Sequence, residues 1–382
     1  MNKIIAVIFI LFVFISCTSK ENVSELLKGK LTVEVYPENI KPIKLTEQKI
    51  LGEILILLHK RVSKEEIIEN LKISESEYSN YINQLFIEGL IKNSDGKEFV
   101  PACMIVTSGD REDIKKYVQP FSNDIANIII EKYQTVKEKY RQLNSFYNIS
   151  FEESSLFILY NVLLDKWQNK NIVEKFLRSD IPMRGSNQYY LMVNQEDTLQ
   201  QSANKLWLEN KYEDYNEYYL CLFGNINRRA NYIDIEREQL IQDFGMSEVS
   251  NEIEFKKKII DDLVKFMSGE LKAADKNLTF PLNKYGLLKN SELILPVISK
   301  RENEILAQMA LLVSDELINY LDSKRPVFVK KYLSSAYKDE VSFREWTFWI
   351  YKFIAAEAAS NLFDKGYIKK PSRELFYYLI LK

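Results

Sequence analysis

The stretch that decides the fold is Phe151–Gln168, which reads FEESSLFILYNVLLDKWQ. A related run, FREWTFWIYKFIAAEAAS, lies 192 residues further on at Phe343–Ser360. The same offset, without a gap, aligns identical residues upstream: Ser122, Asn127, Tyr140, Ser150 and Glu153 with Ser314, Asn319, Tyr332, Ser342 and Glu345. Such self-similarity predicts an internal duplication, and chance likeness between two amphipathic helices is the alternative.

Length and composition set the fold class. At 382 residues the chain exceeds the roughly 250–300 residues at which one core tends to divide. Only 11 glycines and 9 prolines are present, which favours long helices over a turn-rich sandwich. We therefore expect an α+β, mainly helical protein of two duplicated lobes, residues 45–235 and 236–382, with helices packed on small antiparallel sheets. We also expect the strands Gln188–Asn194 and Glu217–Phe223 to pair with each other.

The N-terminus, MNKIIAVIFILFVFISC, indicates a compartment. Lys3 precedes an apolar run, Ile4–Ile15, which is shorter than the roughly 20 residues of a spanning helix and suits a signal peptide. Ser16-Cys17 then resembles the lipobox of bacterial lipoproteins, although Phe14 departs from its usual Leu or Val. The resemblance implies a signal peptide over 1–16, a lipid on Cys17, and a tether with a short strand over 17–44. A diacylated cysteine anchors a protein stably, so we expect a membrane-anchored, extracytoplasmic protein. A plain secreted protein or an uncleaved anchor is the alternative.

Residues 45–101 form a recognisable module. Three helical segments, Ile50–His59, Glu65–Leu71 and Glu75–Glu88, precede a short hairpin with its turn at Asn93–Gly96. This order resembles the winged helix-turn-helix family, many members of which read DNA with the third helix. Here that helix begins with Glu75 and Glu77, which would meet phosphates as like charges. The near-neutral net charge of −2 also gives no field that attracts nucleic acid. We therefore expect a packing or partner-binding module and no nucleic acid partner.

Few residues are candidates for catalysis or for binding a metal. The only histidine, His59, ends an apolar helix and is interpreted as a C-terminal cation rather than a base. Besides Cys17, only Cys103 and Cys221 are present, and their apolar surroundings favour free thiols over a disulfide. The sequence predicts no metal site and no cofactor. Ser150 with Glu153, and Ser342 with Glu345, are expected to form helix caps.

The possible binding residues are Arg228, Arg229, Trp346 and Trp349, with solvation and core packing as their alternatives. The leading hypothesis is a non-catalytic scaffold or interaction lipoprotein of the cell envelope that binds a protein or polymer, with its ligand between the lobes. A carboxylate-based hydrolase of glycans or peptides is the second, favoured by carboxylates of raised pKa at that junction. A membrane-tethered DNA-binding regulator is the third.

Digestion of the protein by an external protease on intact cells, together with mass analysis of the mature N-terminus, tests the compartment. We expect digestion and a lipidated Cys17, because the N-terminal pattern matches a lipoprotein signal. Full protection from the protease combined with an intact Met1 would contradict export of the protein. That result would instead favour a regulatory role for the winged-helix-like module.

Overall fold

The computed structural model describes residues 23–38, 40, 45, 48–94, 98–178, 180–196, 208–226, 230–244, 251–267, 278–289, 292–293, 295–370 and 375–382. It is an α+β, mainly helical protein with small sheets, as the sequence predicts. Residues 23–196 are called the N-terminal half below, and residues 208–382 the C-terminal half. Among the described helices, none is long and apolar enough to cross a membrane.

The N-terminal half begins with a short helix and a strand that precede the module. Its elements are α1 Val23–Leu26, β1 Lys30–Tyr36, α2 Lys49–His59, α3 Lys64–Leu71, α4 Glu75–Ile87, β2 Ile91–Ser94, β3 Glu98–Pro101, β4 Met104–Val106, α5 Ser108–Tyr140, α6 Phe151–Leu156, α7 Lys166–Asn171, β5 Met183–Arg184, β6 Asn187–Gln188 and β7 Tyr190–Glu196. A 3-10 turn at Asn144–Phe146 and π-helical turns at Phe157–Val162 and Ile172–Leu177 connect its later helices.

Local caps explain where the module's helices begin. Ser63 accepts a hydrogen bond from the backbone of Glu66, and the Glu66 carboxylate accepts one from the backbone of Ser63. Ser74 and Glu77 form the same reciprocal pair at the start of α4. Three helices and a hairpin thus follow in the expected order, and membership of the winged-helix class stays a prediction.

The C-terminal half has a comparable element order. Its elements are β8 Glu209–Asp214, β9 Tyr218–Gly224, α8 Arg237–Phe244, α9 Glu252–Met267, α10 Thr279–Lys284, β10 Leu288–Lys289, β11 Glu292–Leu293, β12 Val297–Ile298, α11 Lys300–Leu333, α12 Tyr337–Glu340, α13 Phe343–Asp364 and β13 Leu375–Leu381. The long helices α5 and α11 are both opened by a full capping box, at Thr107 and Ser299.

Each half builds its own mixed sheet. In the N-terminal half, β7 pairs antiparallel with β1 and parallel with β4. In the C-terminal half, β13 pairs parallel with β12 and antiparallel with β9, which in turn pairs antiparallel with β8. The prediction that Gln188–Asn194 pairs with Glu217–Phe223 is therefore wrong, and the sheets are not purely antiparallel. Because β8 and β9 join β13, the second sheet also crosses the expected lobe boundary at residue 235.

Three apolar clusters fill the interior. One lies beneath the module and includes Leu55, Leu85 and Val193. A second lies under α8–α10. The third is shared by both halves, because α13 packs along α5 and is buried on most of its surface. Cys103 and Cys221 are buried free thiols in this structure, as predicted.

A buried ion pair crosses between the halves. Both oxygens of the Glu345 carboxylate, on the first turn of α13, accept hydrogen bonds from Arg184 Nη2 at 2.9 and 2.7 Å. The Leu191 amide donates to the same carboxylate at 3.0 Å. Ser342 caps α13 as predicted, but Glu345 reaches across to the other half instead of back to its own cap. The predicted capping role is thus confirmed for the serine and wrong for the glutamate.

We predict that Glu345→Ala lowers the free energy of unfolding by about 3–5 kcal/mol, because it leaves the Arg184 guanidinium buried without its counter-charge. The matched control, Glu316→Ala, removes a carboxylate from a surface pair with Lys132 and should cost about 1 kcal/mol or less. Urea denaturation of the three proteins measures the difference. Equal losses for the two variants would contradict a structural role for the Arg184–Glu345 pair.

Candidate functional site

A cavity of about 350 Å³ lies between the halves. Its walls come from β1 and the following residues Glu38 and Ile40, from α7, from β8 and the Ile233–Asp234 turn, and from α13. This volume is that of a small-molecule site. The sequence predicts a ligand between lobes 45–235 and 236–382, whereas this cavity is lined mostly by residues before 236, with α13 as the contribution of the second lobe, so the ligand site stays a prediction.

The polar floor of the cavity is organised by Asp165. This residue is buried, with an exposed fraction of 1%, and its carboxylate pairs with the ammonium of Lys352 from α13. Asn169 Nδ2 donates to Asp165 Oδ1 at 3.0 Å, and Asn210 Nδ2 donates to Asp165 Oδ2 at 2.9 Å. Helix α7, strand β8 and helix α13 are thereby joined at one carboxylate.

These contacts fix which way both amides face. A carboxylate only accepts hydrogen bonds, so each asparagine must present its NH₂ group to Asp165 and turn its carbonyl oxygen away. Asn169 Oδ1 and Asn210 Oδ1 are both buried side-chain oxygens with no hydrogen-bond partner. Both residues line the cavity, and Asn169 has an exposed fraction of only 1%. Buried acceptors without partners are costly in a folded protein, and these two oxygens are shielded from solvent, so they lie beneath the cavity surface and not on it.

Glu38 lies at the same cavity. Its burial raises the pKa of its carboxyl, and the charge of Asp165 raises it further, while Lys352 and Lys166 act in the opposite direction. Lys166 itself donates to the Tyr378 hydroxyl at 3.1 Å and contacts Cys221 Sγ at 3.4 Å. Glu38 is therefore a carboxyl whose ionisation responds to any charge that enters the cavity.

Aromatic rings form the opposite wall: Tyr36, Tyr212, Phe348 and Trp349. Trp349 thus contributes to a possible site, as part of a cavity wall and not of an exposed platform. Trp346, with an exposed fraction of 2%, packs against Tyr117, Tyr332 and Phe343 in the core. The two indoles do not share a binding surface. Arg228, Arg229 and Cys17 lie outside the described residues.

His59 belongs to a different cluster, at the contact between the module and the rest of the protein. Its buried ring bonds Glu340 Oε2 through Nδ1 at 2.8 Å, lies 3.4 Å from Asp110 Oδ2 through Nε2, and stacks on Tyr337. Burial by itself lowers the pKa of an imidazolium, but the two carboxylates outweigh this effect and raise the pKa of His59 to about 9. Both ring nitrogens are engaged, so the residue acts as a structural cation and not as a base.

Sequence reasoning missed Asp165, Lys352 and Asn169. A signal was present, because Asp165 and Lys352 are charged residues that directly follow the apolar stretches of two helical runs, LFILYNVLL and WTFWIY. Charges at such positions are rarely buried unless they are paired. Within the described ranges, no group of three or more His, Cys, Asp or Glu residues is placed to hold a metal ion.

Comparison of the chain with protein-family models, with curated proteins and with solved structures gave no match in any of the three. The function is therefore argued from the cavity itself.

We predict that the stabilisation due to His59 is lost in alkaline solution. Its pKa in the folded state lies above the ordinary value of 6.5, so the contribution is complete below pH 6.5 and disappears as the pH rises through about 9. The shift corresponds to about 3 kcal/mol. Denaturation from pH 6 to 10 of the wild type and His59→Gln should show a steeper fall for the wild type. Parallel curves would contradict the charged state of His59.

Proposed function

We propose that the protein is a lipid-anchored, extracytoplasmic binding protein of the bacterial cell envelope, which holds a small ligand, or one unit of a polymer or protein ligand, between its halves without catalysis. One observation carries the proposal: the junction cavity is lined by polar groups whose positions are fixed by ion pairs, Lys352 with Asp165 and Lys211 with Asp234. Sites in which polar groups are held in place before the ligand arrives bind with less loss of conformational entropy. The lipoprotein signal at Cys17 supports the anchored location.

We infer further that the halves arose by duplication of one unit. Ser150 and Ser342, which occupy matching positions in the aligned sequences, each cap a helix. In each half, a long capped helix also follows, along the chain, the first of two strands that pair in parallel: β4 with β7 in one half, and β12 with β13 in the other. A duplicated pair of lobes offers a cleft with two rigid walls, which suits a binding protein.

The groups at the cavity favour binding over hydrolysis. The Asp165 carboxylate pairs with Lys352 and accepts hydrogen bonds from Asn169 and Asn210, so its role is structural. A regulator of transcription has no support in the module, because Glu75 and Glu77 are exposed at the start of α4, where a DNA reader carries basic or amide side chains.

One observation favours the carboxylate-based hydrolase as a second candidate. Burial and the negative charge of Asp165 raise the pKa of Glu38, which is the direction of shift that a general acid requires. Glycosidases place two such carboxyl groups on opposite sides of the scissile bond. The two functions differ in whether the ligand leaves the cavity unchanged.

The binding proposal is tested by narrowing the cavity. Ile233 lines it, and Ile233→Trp should fill part of its volume, whereas Ile253→Trp places the same bulk at an exposed position of α9. The full chain is exposed to an extract of envelope small molecules and examined by native mass spectrometry. We expect a bound species in the wild type and in Ile253→Trp, and none in Ile233→Trp. A bound species retained by Ile233→Trp, or absent from the wild type, would contradict the proposal.

The same sample separates binding from hydrolysis. After incubation with envelope glycans and peptides, we expect the recovered compounds to be unchanged. If products accumulate with the wild type and are absent with Glu38→Gln, the hydrolase is the correct function and the binding protein is not.

A further inference from the structure

We propose that one end of the protein lies against a membrane surface that carries anionic lipids. This surface is called the basic end below, and it consists of four exposed lysines and two exposed apolar side chains: Lys116, Lys330, Lys331, Lys338, Val327 and Leu333. The inference rests on the lipid-anchored location proposed above and not on the cavity. It adds the face of the protein that meets the membrane.

The long helices α5 and α11 bring the first three lysines together. The two helices run antiparallel, because the Tyr320 hydroxyl of α11 donates to Asp124 of α5 at 2.7 Å, and the later Lys331 of α11 meets the earlier Tyr117 of α5. The Lys331 ammonium lies 5.6 Å from the centre of the Tyr117 ring. Lys116, the neighbour of Tyr117, is therefore beside the last two turns of α11 and their lysines.

Helix α12 contributes the fourth lysine. The Tyr332 hydroxyl, near the end of α11, donates to the backbone carbonyl of Val341 at 2.7 Å and contacts that of Lys338 at 3.3 Å. These contacts hold α12 against the end of α11. The apolar side chains of Val327 and Leu333 lie on the same last turns of α11, with exposed fractions of 46% and 58%. The basic end is therefore one surface built from three helices.

The basic end has more positive than negative charge. Among the residues that the structure describes, none of its four lysines forms an ion pair. The exposed carboxylates on the same segments are Asp113 and Asp339, and Asp339 lies 3.9 Å from the Arg61 guanidinium. The dipole of α11 favours cations in its last turn, but Lys116 lies within α5, away from any helix C-terminus. The excess of positive charge favours an anionic partner.

The first described helix, α1, lies at the same end of the protein. The side-chain amide of Gln195 donates to the carbonyl of Leu26 in α1, and its oxygen accepts from the amide of Ser108, the first residue of α5, at 3.3 Å. Lys116 is only about 12 Å further along α5. Cys17 is six residues before α1, and six residues span at most about 20 Å. A lipid on Cys17 is therefore within reach of a membrane that touches the basic end.

A lipid surface fits the basic end better than a nucleic acid does. Val327 and Leu333 are exposed among the lysines, and apolar side chains in such a setting enter the boundary between lipid headgroups and acyl chains. The phosphates of a nucleic acid offer no apolar layer for these two side chains. A lipid on Cys17 would also hold the basic end near the membrane at a high effective concentration.

The test is the rate of lysine acetylation in the lipidated full chain bound to vesicles. Neutral vesicles contain phosphatidylcholine, and anionic vesicles contain an equal mixture of phosphatidylcholine and phosphatidylglycerol. The lipid on Cys17 anchors the protein in both, so the two samples differ only in surface charge. We expect the lysines of the basic end to react about fivefold more slowly on anionic vesicles, the factor that one lysine gains at an anionic surface.

The control lysine is Lys170 on α7, whose side chain is 77% exposed. The Trp167 indole of α7 donates to Asn303 at 2.9 Å, which places α7 near the start of α11. Helix α11 has 34 residues and is about 50 Å long, so Lys170 is far from the basic end. Lys170 should react at the same rate on both kinds of vesicle.

Charge reversal and salt test the electrostatic cause. Combining Lys330→Glu with Lys338→Glu should remove the protection of Lys116, whereas the matched variant Lys170→Glu should keep it. Both substituted lysines of the basic end are exposed and unpaired among the described residues, so the double variant should unfold at the wild-type temperature. NaCl at about 1 M, where the Debye length is about 3 Å, should also remove the protection.

The outcomes separate this inference from the proposed function. A lipidated Cys17 together with equal acetylation of the basic end on both kinds of vesicle would overturn the membrane contact and leave the anchored binding protein standing. Cys17 without lipid in the mature protein would overturn the anchored location and, with it, the contact. Protection of the basic end by added transfer RNA, and none by anionic vesicles, would overturn the lipid surface in favour of a soluble polyanion.

Discussion

The structure depends on two ion pairs that helix α13 forms with the other half. Glu345 pairs with Arg184, and Lys352, seven residues later, pairs with Asp165. Seven residues span two helical turns, about 10 Å, so both charges lie on one face of the helix. The rest of α13 is largely apolar and contacts the shared core. An apolar helix can slide or rotate against an apolar surface at modest cost, whereas two buried charges of opposite sign match their partners in one position only.

The second of these pairs also determines the chemistry of the cavity. Lys352 pairs with Asp165 and places an opposite charge beside a carboxylate whose exposed fraction is 1%. The carboxylate then orients the amides of Asn169 and Asn210 and leaves their carbonyl oxygens without partners. The contact that joins the halves therefore also holds residues that line the cavity, and the loss of Lys352 would disturb both.

The sequence was sufficient for the local features and insufficient for those that depend on distant partners. Ser150 and Ser342 were recognisable as caps because a cap involves residues within one turn. The partner of β7 could not be read from its own residues, since β1 lies more than 150 positions earlier in the chain. Glu345 shows both cases in one helix: its place after Ser342 indicated a cap, but its side chain binds Arg184, 161 residues away. A ligand site between the predicted lobes stays a prediction, and the residues that line the cavity were not foreseen, because a charge within an apolar run indicates burial but not its partner.

Three buried charges explain how the two halves keep one relative position. Between Glu340 and Lys352 the chain carries three buried charges that meet the N-terminal half: Glu340 bonds His59, Glu345 bonds Arg184 and Lys352 bonds Asp165. The signs run negative, negative, positive along this segment, and those of the partners are opposite, so a docking shifted by one site would place Lys352 against Arg184 or Glu345 against Asp165. The apolar core supplies most of the free energy of association, since it scales with buried area and not with register. The charges supply the register, and with it the position of the cavity walls that β1 and α13 contribute.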